Sequence, residues 1–94
     1  MKLPSGKELT KDQLIDIFEA VVSEKFMMEC TFEEAFELTG YSLHEGEWDD
    51  IPVLHDDDIS FIYKALSGVV IQCEGELRST LGTFEVNSAI IQSW

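Results

Sequence analysis

The stretch FMMECTFEEAFELTGYSLHEGEWDDIPVLHDDDISFIY, residues 26–63, decides how this chain is read. It contains no Lys or Arg, yet carries Glu29, Glu33, Glu34, Glu37, Glu45, Glu47, Asp49, Asp50, Asp56, Asp57 and Asp58 out of 19 acids in the chain. Phe32, Phe36, Tyr41 and Trp48 are interleaved with them, so the segment joins a negative field to the kind of aromatic side chain that anchors interfaces. Within it, Thr31 followed three residues later by Glu34 forms a capping box, and Phe32, Ala35 and Phe36 supply an apolar side. A short helix is therefore expected, closed at Gly40, a residue free to take the left-handed conformation of a C-terminal cap. Glu33 and Glu37 are expected on its solvent face, opposite Phe32 and Phe36.

Residues 41–55, YSLHEGEWDDIPVLH, hold a Gly and a Pro with no sustained period and read as a long acidic loop anchored by Ile51, Val53 and Leu54. A third helix follows, with one of Asp56, Asp57 and Asp58 as its N-cap and Ile59, Ile62, Tyr63, Leu66, Val69, Val70, Cys73 and Leu77 at helical spacing. Helix chemistry accounts for part of this charge, because acids in a first turn complement the helix dipole whatever else they do.

Working outward, Thr10 with Gln13 is another capping box, and Leu9 with Leu14 forms a hydrophobic staple across it. Leu14, Ile17, Phe18, Val21 and Val22 then recur as one face of a helix running to Phe26 or Met28. Residues 1–9, interrupted by Pro4, Ser5 and Gly6, read as a short flexible arm. Beyond Leu66 two templates compete. Gly68 and Gly75 each cost a helix about 1 kcal/mol relative to Ala, and Ile71, Cys73, Gly75 and Leu77 alternate as in a strand. The helical matches nevertheless continue unbroken to Leu81, with a last short helix bearing Val86, Ala89, Ile90 and Trp94. The expected fold is an all-α single domain over residues 1–94, a bundle of about four helices with a long acidic loop. Its alternative is α+β, with a C-terminal hairpin or meander over residues 69–94.

The net charge of −13 narrows the function. It repels nucleic-acid phosphates and anionic membrane surfaces, so direct nucleic-acid or membrane binding is not expected and basic proteins are the favoured partners. The first residues lack an apolar signal core and no run spans a bilayer, so the cytoplasm is the expected compartment, with Cys30 and Cys73 as reduced thiols. The acids do not follow calcium-loop spacing, and Cys30, His44, His55 and Cys73 form no zinc pattern, so no metal and no cofactor is expected. No nucleophile elbow, phosphate loop or dinucleotide turn is present, and no catalytic residue is assigned; an enzyme is not expected.

What remains is a partner-binding surface made of Glu37, Tyr41, Glu45, Glu47, Trp48, Asp49, Asp50, Asp56 and Asp57. In size, charge and expected helicity the chain is similar to bacterial toxin immunity proteins and phage counter-defence inhibitors. It lacks the Tyr-Tyr-Pro element of the nuclease-colicin immunity proteins, and no residue role is carried over. The expectation is an inhibitor of a basic toxin, nuclease or other nucleic-acid-processing protein. The alternative is an adaptor that homo-oligomerises or docks through an apolar face, with Trp48 and Trp94 as contacts.

Overall fold

Leu14, Ile17, Phe18 and Val21 are buried along one side of the first long helix, α1 (Lys11–Met28). Both halves of its capping box are formed: Gln13 N–H donates to Thr10 Oγ1 at 3.1 Å and Thr10 N–H donates to Gln13 Oε1 at 2.9 Å. Leu9 and Leu14, the two staple residues, are both buried in the core. The second helix, α2 (Phe32–Glu45), starts from Thr31, whose hydroxyl accepts from Glu34 N–H at 3.2 Å. The return half of that box is altered, since Glu34 Oε1 accepts from the Thr31 hydroxyl rather than from its backbone. The third, α3 (Asp56–Cys73), buries Ile62, Leu66 and Val69. A computed structural model describes residues 1–73 and 90–93; it is all-α, with three main helices and a helical turn at 90–92 whose Ile91 is fully buried.

Gly40 does not end α2. The helix runs through it to Glu45 and is closed by Gly46, at φ +75°. Packing gives the reason. Phe36, Thr39, Gly40 and Leu43 are buried at three- and four-residue spacing, so stopping at Gly40 would expose Leu43. Burying a leucine gains about 1.5–3 kcal/mol, more than the roughly 1 kcal/mol that an interior glycine costs a helix. Gly40 instead serves close approach: a Cβ there would lie 3.1 Å from Ile59 Cγ2 on α3.

The acidic loop is consequently shorter than expected, residues 46–55, and it is pinned. Ile51 and Leu54 are buried, Gln13 Nε2 donates to Asp50 O at 2.8 Å, and Leu54 N–H donates to Leu43 O at 3.3 Å. Val53, expected as a third anchor, is 48% exposed. None of the three aspartates is the N-cap of α3; all lie in its first turn, and His55 precedes them with its carbonyl accepting from Ile59 N–H at 3.0 Å.

Residues 1–9, expected as a flexible arm, are folded into the core. An antiparallel bridge joins Lys2 to Glu8, Leu9 N–H donates to Met1 O at 2.9 Å, and Leu3 and Leu9 are buried. Two leucines flanking the Pro-Ser-Gly turn were the signal for this, and the turn residues masked it. Among the described residues no sheet forms beyond that isolated bridge. The strand expectation for 69–94 meets helix at 69–73 and 90–92, because Val69 continues the buried series of Ile62 and Leu66 and outweighs Gly68. Gly75, Leu77, the expected helix end at Leu81, Val86, Ala89 and Trp94 lie outside the described residues. Among the described residues no helix is long and apolar enough to cross a membrane.

Candidate functional site

Continuing α2 through Gly40 places Glu33, Phe36, Glu37, Gly40, Tyr41 and His44 at three- and four-residue spacing along one helix side. The same spacing on α3 sets out Asp56, Ile59, Ser60 and Tyr63. These two rows line a single groove of about 410 Å³ between the helices. Gly40 and Ile59 approach closely across it. Aromatic rings build its wall: Phe36 and Tyr63 have centroids 5.2 Å apart at 57°, and Phe32 lies stacked behind Tyr63 at 6.2 Å. Tyr41 is 65% exposed at the rim.

The groove is electrostatically one-sided. Glu33, Glu37 and Asp56 are exposed carboxylates and its lining contains no Lys or Arg. His44 sits among them, with Nδ1 3.3 Å from Leu54 O and 3.7 Å from Asp56 Oδ1. When Nδ1 carries a proton it donates to that carbonyl, which fixes the ring on the side of the loop. The Asp56 side chain is almost fully exposed, and an ion pair so open to water is worth at most about 1 kcal/mol.

Of the residues singled out from sequence, Glu37, Tyr41 and Asp56 come together in this groove. Glu45, Glu47, Asp49, Asp50 and Asp57 are exposed but do not line it, and Trp48 is half-buried against the core. Glu33, Phe36, His44, Ile59, Ser60 and Tyr63 were not expected there. The signal was the series 33, 37, 40, 41, 44, which a helix break at Gly40 cuts in two. Glu33 also lies in the first turn of α2, where an acid suits the helix dipole, an effect that does not stop a side chain from lining a groove.

Asp58 separates from its neighbours altogether. It is fully buried, and Ser5 N–H donates to its Oδ1 at 3.0 Å, while Oδ2 has no hydrogen-bond partner among the described residues. Burial is the largest influence on its carboxyl and pushes its pKa up. The Ser5 hydroxyl and amide, the His55 amide and the Lys7 ammonium together outweigh burial and hold it below the usual carboxylate value. The Lys7 ammonium also donates to the Val53 carbonyl, so this cluster ties the N-terminal turn to the loop and to the start of α3. Asp58 is a structural acid.

Among the described residues no group of three or more His, Cys, Asp and Glu side chains is arranged to hold a metal ion. Comparison with protein-family models, with curated proteins and with solved structures found no match.

Proposed function

We propose that this chain is a small acidic binding protein that inhibits a basic protein partner, of the immunity, antitoxin or phage counter-defence type. It would do so by occupying a positive surface that otherwise meets nucleic acid. The observation that carries this reading is the charge of residues 26–63: no Lys or Arg, and Glu33, Glu34, Glu37, Glu45, Glu47, Asp49, Asp50, Asp56 and Asp57 all exposed. Like charges crowded in this way cost the isolated fold stability, and a basic partner removes that cost while gaining rapid steered association. The pinned loop supports the same reading, because Ile51, Leu54 and the Gln13 bond hold its acids in place before any encounter.

The test is to capture partners from the native host and its competitors, and then measure association kinetics against the captured protein. Reversing Asp49 and Asp50 to Lys should slow association about tenfold or more and flatten its salt dependence, while the melting temperature holds or rises as repulsion is relieved. Unchanged kinetics would remove the loop from the surface. A second reading, an adaptor that docks or homo-oligomerises through an apolar face, is favoured by Phe26, Met27 and Met28, which are 66%, 74% and 57% exposed at the end of α1. Trp48 is half-buried and Trp94 lies outside the described residues, so that face would centre on α1 rather than on the tryptophans. Sedimentation at several concentrations separates the readings, a tight homodimer that binds no basic protein supporting the second.

A further inference from the structure

Resting on the reading of a basic partner, we propose that the groove between α2 and α3 is the seat for an arginine side chain of that partner. Three features combine there. The groove is open to solvent and, at about 410 Å³, large enough for a long side chain, its wall is built from Phe36 and Tyr63 with Tyr41 at the rim, and its carboxylates are Glu33, Glu37 and Asp56. A guanidinium is planar, stacks on aromatic faces and donates to two carboxylate oxygens at once. A lysine ammonium is compact and strongly hydrated, and it gains less from a half-apolar wall.

The other occupants fit less well. A phosphate or nucleic acid would meet carboxylates with no compensating base in the lining. A second copy of the chain would bring its own charge of −13. The exposed acids between Glu45 and Asp50 do not line the groove, so their part is to attract the partner, whereas Glu37 and the rings hold it. The division assigns on-rate to the loop and residence time to the groove.

Hexa-arginine and hexa-lysine peptides, titrated at low salt into the isotopically labelled full chain and followed by NMR, test this directly. The expected result is amide shifts centred on Glu37, Gly40, Tyr41, Ile59 and Tyr63, with hexa-arginine binding about fivefold more tightly than hexa-lysine. Glu37→Gln and Tyr41→Ala, both at exposed positions, should each weaken hexa-arginine by about threefold or more without lowering the melting temperature. Equal affinity for the two peptides, shifts centred on residues 46–50, or a Glu37→Gln variant that binds like the parent would each overturn the groove assignment and leave the acidic-face reading standing. Binding of neither peptide anywhere on the chain would overturn both.

Discussion

Towards α1, helix α2 packs extensively, with the Phe32 ring 6.3 Å from that of Phe18 and a continuous buried series around it. Towards α3 it packs less, meeting Ile59 closely at Gly40 and leaving a groove bordered by carboxylates. One helix thus has a side that holds the fold together and a side left unfilled. Sites are often built this way, with exposed polar groups positioned by elements whose stability comes from elsewhere. The difference also assigns different costs to mutations on the two sides.

The largest effect is expected on the closed side. Phe18→Ala removes a fully buried ring and its contact with Phe32, and should cost about 3–5 kcal/mol in urea unfolding. Set against the 5–15 kcal/mol that a domain typically possesses, that is a large share. A loss under 1 kcal/mol would mean that the two sides are not distinct. On the open side, Gly40→Val places a branched side chain against Ile59 and should force α2 and α3 apart, at about 2–3 kcal/mol in the same assay. If the variant is as stable as the parent, the close approach at Gly40 is not what sets the spacing of the groove.

The smallest effect concerns the buried Asp58 at the start of α3. Asp58→Asn keeps the shape but loses the charge that faces Ser5, His55 and Lys7, and should cost about 1–2 kcal/mol near neutral pH. The pH dependence has a definite sign. Because the folded-state pKa of Asp58 is depressed, its contribution is complete above the ordinary carboxylate value of 3.8 and is lost as pH falls below it through the folded value. The asparagine variant should therefore lose stability less steeply than the parent in that acid range, as followed by thermal melts. Parallel acid profiles would show that Asp58 is not held ionised.

Two glycines show what was legible and what was not. In sequence, Gly40 is the expected left-handed cap of the second helix, while Gly46 reads as a glycine of the loop that follows. Gly46 takes that conformation and Gly40 does not, because Leu43 has a buried place and Ile59 needs room beside Gly40. Both of those facts come from contacts with residues distant in sequence. The three aspartates teach the same lesson. Asp56, Asp57 and Asp58 are chemically identical and adjacent, yet one borders the groove, one faces solvent and one is buried under the N-terminal turn.

The sequence alone determined that the chain is helical as far as Leu66, the starts of α1 and α2 at Thr10 and Thr31, most of the core and the sign of the exposed charge. Those features depend on side chains a few residues apart, through capping bonds and the helical repeat, or on composition. The tertiary structure decided where α2 ends, that residues 1–9 join the core, that Asp58 is buried, and which acids share a groove with Phe36, Tyr41 and Tyr63. Each of these depends on what α3 and the N-terminal turn bring alongside, a pairing across dozens of residues that local periodicity does not encode.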